Sequence, residues 1–379
     1  MPTLHYFQPM QPTRQSDTNL PETVLPHGGE VYHLARTLGL HPRDLLDFSA
    51  NINPLGFPPA IAEVIRQTLG EIVHYPDRHC LELRQELAAY HRLAPDQILV
   101  GNGSTELLYL AARALTPRRA LIVAPAFSEY EHALAAARVP VVFQETGEAH
   151  NFTLTAPPDP RGADLVFLAN PASPSGVLLP PELLLETAAR LTAAGVQLLL
   201  DEAFVDFVEE ASLKTRLAQF PHLLILRSFT KFFGIPGMRL GYLLAAPALI
   251  RRLAAVQEPW SVNTLAQAMG KACLQDHDYM VRSRALISRE RQYLLNGLKS
   301  LPGLSPFPGA VNYLLVKITR SDWTAATLQK ALLSRKIIVR DAGNFRGLDE
   351  RFFRLAVRRR EENQRLLEAL GQFLLEERP

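Results

Sequence analysis

The stretch Arg227–Gly241 reads R-S-F-T-K-F-F-G-I-P-G-M-R-L-G. Lys231 follows a strand-like run, Leu223-Leu224-Ile225-Leu226, and precedes a Gly/Pro-interrupted segment that holds Arg239. A lysine at the carboxyl end of a buried strand is costly unless it is neutralised, paired or used covalently. Ser228 and Thr230 place hydroxyls beside it, and Arg239 adds a fixed positive charge eight positions on (239 − 231). An amine, hydroxyls and a guanidinium suit an aldehyde that also carries a phosphate. That describes pyridoxal phosphate, held as a Schiff base on Lys231. An ordinary loop with a solvated lysine is the alternative that this stretch alone leaves open.

The elements needed to position such a site are legible upstream. From Gln97 the chain repeats strand, loop, helix: Ile98–Val100, then a helix opening at Gly101-Asn102-Gly103-Ser104-Thr105-Glu106 and reaching about Leu115. Strands over 120–124, 139–143, 165–168, 196–201, 223–226 and 240–244 follow, separated by helices over 128–137 and 181–194. Continuous apolar strands alternating with amphipathic helices predict a mostly parallel sheet covered on both faces. In such sheets ligands bind at the carboxyl ends of the strands. Gly103, Ser104 and Thr105 stand there at a helix start, where backbone amides, hydroxyls and the helix dipole favour a phosphate. A tight turn with a hydroxyl cap is the simpler reading of the same residues. Asp201 ends Val-Gln-Leu-Leu-Leu, and a carboxylate at that point must be paired or solvated. A protonated pyridine nitrogen would pair with it and keep the cofactor ring an electron sink; an ion pair with a nearby arginine or a helix-capping role is the alternative. Phe127, just after the 120–124 strand, is placed to stack on a ring or to fill core.

Earlier in the chain, residues 1–24 carry prolines without periodicity and are expected to be a disordered extension. A helical pattern at Val31, Leu34, Ala35 and Leu38 stops at Gly39, and Leu45–Phe48 runs into the turn-rich loop Ser49–Gly56. Helices are expected over 59–69 and 81–91. After Pro247 helices dominate to Ser300, then strands over 311–318, 337–340 and 352–357 alternate with helices over 322–334 and 361–375, an α+β pattern. Two domains follow, parted around residues 247–262: a large cofactor domain over 75–255 and a smaller one over 256–379, with 25–74 packing on the smaller.

The whole-chain balance narrows the function. A length of 379 residues fits two domains, and 47% hydrophobic with 21% charged residues fits a soluble globular protein. A formal net charge of +2 argues against broad attraction to nucleic acid or anionic membrane, so anion recognition must be local. Cys80 and Cys273 have no metal-like spacing, and neither zinc nor a disulfide framework is expected. With no apolar signal core and no membrane-length run, the cytoplasm is the expected compartment.

Six ordered motifs carry a resemblance: N-I-N-P-L-G (51–56), Y-P-D (75–77), G-N-G-S-T-E (101–106), P-A-S-P-S-G (171–176), D-E-A-F (201–204) and S-F-T-K…G-M-R-L-G. From His27 to about Leu375 the chain resembles the fold-type I pyridoxal-phosphate enzymes of the class I/II aminotransferase superfamily. Its nearest branch holds the histidinol-phosphate aminotransferases and the threonine-phosphate decarboxylases. The resemblance implies a seven-stranded large domain and a homodimer. It makes Lys231 the Schiff-base lysine, pairs Asp201 with the pyridine nitrogen and stacks Phe127 on the ring. Gly103, Ser104, Thr105, Ser228, Thr230 and Arg239 match the phosphate cup, and Phe204 falls among the cofactor contacts. Tyr75 matches a tyrosine that reaches the cofactor phosphate of the neighbouring subunit. Arg354 matches the arginine that grips the substrate's acid group. The family usually writes N-N-P-T-G where this chain has A-S-P-S-G, so Ser173 stands in for the asparagine on the ring oxygen, with Asn170 nearby.

Several stretches, among them H-G-G (27–29), L-D-F-S-A-N-I-N-P-L-G (46–56) and P-W-S-V-N (259–263), favour the decarboxylase side. That implies loss of CO₂ from L-threonine O-3-phosphate, giving the aminopropanol phosphate used in cobalamin; transamination of the histidinol-phosphate type is the alternative. A decarboxylase must hold the Cα–carboxylate bond perpendicular to the cofactor ring, which it does by gripping the substrate's anions at fixed points. Arg340 and Arg354 suit carboxylate and phosphate, with His27 and Asn51 as further substrate contacts. A cofactor-binding transcription regulator would need a DNA-binding domain ahead of His27, and the 26 residues there are too few. A catalytically dead scaffold would not need both Lys231 and Asp201.

Overall fold

The computed structural model describes residues 28–376. The expected 1–24 extension and His27 lie outside the described residues. Seven strands form the main sheet in the spatial order Ile98–Gly101, Gly241–Ala245, Leu223–Ser228, Gln197–Asp201, Leu165–Ala169, Ala120–Ala124, Val141–Glu145. All run parallel except Gly241–Ala245, which is antiparallel to both its neighbours. Alternation along each strand divides the core into two layers. Leu121, Val123, Leu198, Leu200, Leu223 and Ile225 face one layer. Ala120, Ile122, Leu199, Leu224 and Leu226 face the other, packed on the helix Gly103–Leu115.

The sheet residues that follow the last apolar positions inherit this alternation. Asp201 therefore falls on the side of the helix Gly103–Leu115, while Glu202 and Arg227 fall on the opposite side. Close backbone approach tightens the junction. A Cβ on Gly241 would lie 2.6 Å from the amide nitrogen of Ser104, so only glycine lets the helix start sit against the neighbouring strand.

Beyond Gly241–Ala245 come the helices Pro247–Ala254, Thr264–Gln275 and His277–Lys299, then an antiparallel sheet ordered Arg340–Asp341, Phe352–Ala356, Tyr313–Ile318, Leu304–Pro306. The run expected as a single strand over 337–340 is divided. Ile337–Ile338 pairs in parallel with Leu46–Asp47, and Arg340–Asp341 turns to join the other sheet. The N-terminal segment packs on this later part of the chain: Leu46–Asp47 pairs as above, and the helix Ile61–Thr68 packs on Thr264–Gln275. Among the described residues, no helix is long and apolar enough to cross a membrane.

Candidate active site

A cavity of about 470 Å³ opens at the carboxyl ends of the parallel strands. Its lining brings together Ser104, Thr105, Phe127, Asp201, Phe204, Ser228, Thr230, Lys231 and Arg239 from the large sheet, with Asn51, Ser173, Arg340 and Arg354. Residues separated by some three hundred positions of chain therefore meet in one place.

Lys231 sits in the one-turn helix Phe229–Phe232, which starts where the strand Leu223–Ser228 ends. Ser228 caps it: its Oγ accepts from the Thr230 amide at 3.4 Å and lies 2.8 Å from Thr230 Oγ1. So short a helix cannot hold itself. The loop Asn51–Gly56 braces it from outside. The Asn53 amide donates to Lys231 O at 3.0 Å, and Asn53 Nδ2 donates to Phe232 O at 2.8 Å. Tyr279 Oη adds bonds to Phe232 O at 3.0 Å and Gly56 O at 2.6 Å. Burial, with Arg354 and Arg239 nearby, pushes the Lys231 amine down to about 8. That amine forms no hydrogen bond or ion pair with the described residues.

Asp201 accepts from Tyr130 Oη at 2.5 Å and from the Ala203 amide at 2.8 Å. Both donors are neutral. Burial raises the carboxyl above its ordinary range even though these bonds oppose the shift. Among the described residues Asp201 has no ion-pair partner. Tyr130, in the first turn of the helix Glu129–Ala136, is a cavity residue that sequence reading missed; its only signal was its place three positions after Phe127.

The two segments expected to cradle the cofactor's phosphate are tied together. Gly103 has φ +81°, and a Cβ there would lie 2.7 Å from Arg239 Nη2, so the glycine makes room for the guanidinium at the helix start. Arg239 itself holds a left-handed conformation, φ 55°, which aims its side chain back across the strand ends. Gly103 is not itself a wall of the cavity.

Arg340 and Arg354 are directly opposite in the antiparallel ladder. Like charges so placed repel unless an anion lies between them. Arg354 donates to Ser173 Oγ and to Ser49 O, both at 3.2 Å, and its Nε is buried without a partner. Burial, with Arg340 adding to it, pushes the Arg354 guanidinium down to about 10. Ser173 is thus engaged by Arg354. Asn170 is fully buried, accepts at Oδ1 from the Leu179 amide at 2.9 Å and does not line the cavity. Asn51 does line it, with a buried Oδ1 that has no partner. Tyr75 is 80% exposed and stacks on Trp260 with ring centroids 4.7 Å apart, away from its own chain's cavity.

Behind the site lies a polar cluster that sequence reading did not anticipate. Arg227 is fully buried and donates to Glu202 at 3.2 Å, Asp206 at 2.9 Å and Glu209 at 2.5 Å. Lys214 joins Glu209 and His91, whose other ring nitrogen lies 2.8 Å from Tyr242 Oη. The cluster rivets the strand carrying Asp201 to the strand leading to Lys231.

The donor set fits pyridoxal phosphate. A buried carboxylate without a cation would meet the pyridine nitrogen, a hydroxyl-and-arginine cup at a helix start would hold the phosphate, and an unpartnered amine would meet the aldehyde. Strand order, switch-point cavity and lysine placement together define the pyridoxal-phosphate enzymes of fold type I. The chain belongs to the aminotransferase class I and II family, whose model matches residues 43–370. It is 40% identical over 356 residues to the threonine-phosphate decarboxylase of Salmonella typhimurium, covering 92% of this chain and 96% of that protein. The crystal structure of L-threonine-O-3-phosphate decarboxylase from Porphyromonas gingivalis is similar with a TM-score of 0.80 and 31% identity, over 87% of this chain and 100% of that one. The histidinol-phosphate aminotransferase from Clostridium acetobutylicum is similar with a TM-score of 0.83 and 29% identity, over 88% and 100% of the two chains.

Proposed function

We propose that the chain is a pyridoxal-phosphate-dependent carboxy-lyase that converts L-threonine O-3-phosphate to (R)-1-aminopropan-2-yl phosphate in cobalamin biosynthesis. The observation that carries the reading is the cross-strand pair Arg340–Arg354 on the cavity that also holds Lys231. Two adjacent guanidiniums call for a substrate with two anions, and a phosphorylated amino acid has a carboxylate and a phosphate.

When bound, pyridoxal phosphate supplies an electron sink conjugated to the substrate's Cα. Asp201 would hold a proton on the ring nitrogen, and Tyr130 and the Ala203 amide hold Asp201. Ser104, Thr105, Ser228, Thr230 and Arg239 would hold the cofactor's phosphate, and Phe127 and Phe204 would hold the ring plane. Arg340 and Arg354 would fix the substrate's anions, with Asn51 and His27 assisting, and so choose which bond at Cα is broken. Breaking the Cα–carboxylate bond releases CO₂ and leaves the bonding pair at Cα, where a proton delivered from Lys231 Nζ would take the carboxylate's place. An amine with its pKa near 8 is suited to carry that proton at neutral pH. Supplying phosphothreonine should release CO₂ and yield aminopropanol phosphate. Transfer of the amino group from histidinol phosphate to a 2-oxo acid, with no CO₂ from phosphothreonine, would instead place the chain with the aminotransferases.

We also propose that the enzyme is a homodimer with shared sites. Exposed apolar side chains support it: Phe57, Leu69, Ile72, Val73, Tyr75, Leu81 and Trp260 are all exposed, with Tyr75 stacked on Trp260, and exposed apolar surface marks interfaces. Mixing a Tyr75→Ala chain with a Lys231→Met chain would put both lesions into one site of the heterodimer and leave the other whole. Activity should therefore return on mixing, up to about a quarter of wild type for random association; a fully active monomer in sedimentation would overturn the proposal.

A further inference from the structure

The segment 341–349, D-A-G-N-F-R-G-L-D, leaves the smaller sheet beside Arg340 and reaches the far edge of the large one. Three consecutive side chains do different things there. Asn344 Oδ1 accepts from Arg340 Nη2 at 2.7 Å, while Arg340 Nη1 donates to Asp341 O at 2.6 Å. These two bonds set the plane of the guanidinium. Phe345 lies beneath it, 5.4 Å from ring centroid to Arg340 Cζ, and forms part of the wall of the catalytic cavity. Arg346 points the other way. Its Cζ lies 3.7 Å over the ring of Phe143 in the edge strand Val141–Glu145, and it approaches Glu131 Oε1 at 3.8 Å. Gly347, at φ +83°, follows, and a Cβ there would lie 3.6 Å from Glu145 Oε2.

A second cavity of about 470 Å³ lies under this loop and shares Phe127, Ser128, Arg340 and Phe345 with the first. Arg340 and Phe345 therefore form the partition between the two. Wherever the loop sits, the partition follows.

We propose that Asn344 and Arg346 are positioning residues for the substrate's phosphomonoester: Asn344 orients Arg340, and Arg346 fastens the loop to the large sheet so that this orientation is held. This rests on the proposed reaction with a phosphorylated amino acid. Recognition of the phosphate then depends on a contact made well outside the cavity, through a cation over an aromatic face. Arg346 is half exposed and stacks on Phe143 from outside the buried core, so its removal should leave the fold intact.

The holoenzyme and its Arg346→Ala, Asn344→Ala and Arg346→Lys variants are compared by steady-state kinetics on phosphothreonine and by calorimetric titration with inorganic phosphate. Losing one orienting contact should raise KM for phosphothreonine by about tenfold in the two alanine variants, with kcat lowered by less than about threefold. Affinity for inorganic phosphate should weaken in parallel. Arg346→Lys keeps a cation on Phe143 and should recover most of the loss. Unchanged KM and phosphate affinity in both alanine variants would overturn the inference, as would an equal fall in kcat with KM unmoved, the mark of a purely structural loop. A wild type that releases no CO₂ from phosphothreonine but loses phosphate affinity in both variants would overturn the reaction and leave the loop's role standing.

Discussion

Lys231→Met is expected to abolish turnover, lowering it by more than about a thousandfold, since a positioned proton-transfer group alone contributes about 10²–10⁴-fold. The variant should still bind pyridoxal phosphate, because Ser104, Thr105, Ser228, Thr230, Arg239 and Asp201 are untouched. Borohydride treatment followed by peptide mapping should find the pyridoxyl group on residue 231 of the wild type and nowhere in the variant. Label on Lys214 or Lys271 instead would collapse the site assignment. Both of those amines are already committed, Lys214 to Glu209 and His91, Lys271 to Glu82. Stability separates lost chemistry from a lost fold, and its sign can be worked out. Burial lowers the amine to about 8 against an ordinary 10.5, so in the cofactor-free protein the unfolded chain binds the proton more readily than the folded one. The resulting penalty is fully present below about pH 8 and fades as pH rises towards 10.5. Cofactor-free Lys231→Met escapes it and should melt no lower than the cofactor-free wild type at pH 7. Near pH 10.5 the advantage should be gone.

The parts of the site that could be read from the chain are those built by neighbours in sequence. Ser228, Thr230 and Lys231 share one helical turn, and Gly103, Ser104 and Thr105 share a helix start, so local pattern was enough to group them. Strand periodicity likewise exposed the parallel sheet and the place of Asp201. Contacts that join distant segments left no such trace. Asn53 looked like a turn residue, yet its amide and side chain brace the lysine helix across almost 180 positions of chain. Arg227 and Glu202 sat in full view beside Lys231 and Asp201. Nothing local says that strand alternation turns them to the other face to meet Asp206 and Glu209. The run 337–340 read as one strand because apolar residues continue through it; pairing with two different partners, visible only in space, is what divides it. Ser173 shows the same limit from the other side. Its place in the motif suggested the cofactor's ring oxygen; in space its hydroxyl lines the cavity and also accepts from Arg354 at 3.2 Å, a partner the motif does not show.

That arginine carries the second large effect. Arg354→Ala and Arg340→Ala should each lower kcat/KM for phosphothreonine by about tenfold to several hundredfold, since a charge-assisted hydrogen bond contributes about 1.5–3 kcal/mol and each ~1.4 kcal/mol is a decade. The fold should tolerate the loss of Arg354. Its bonds run to a hydroxyl and a carbonyl, and no carboxylate among the described residues depends on it. Its removal therefore strands no buried negative charge, and it relieves the repulsion from Arg340 directly across the ladder. Arg354→Ala should accordingly melt within a few degrees of the wild type while losing activity. Lysine should be a poor substitute, because a point charge on a flexible stem cannot reproduce a planar, two-pronged grip held by Ser49 and Ser173. The substrate's own anions supply the cross-check. Replacing phosphothreonine by threonine removes one grip from the ligand side, so the penalty of the arginine that holds the phosphate should shrink with threonine while the other's persists. CO₂ release from phosphothreonine that survives both alanine variants at wild-type efficiency would show that neither guanidinium orients the breaking bond, and the assignment of this pair to the substrate would fall.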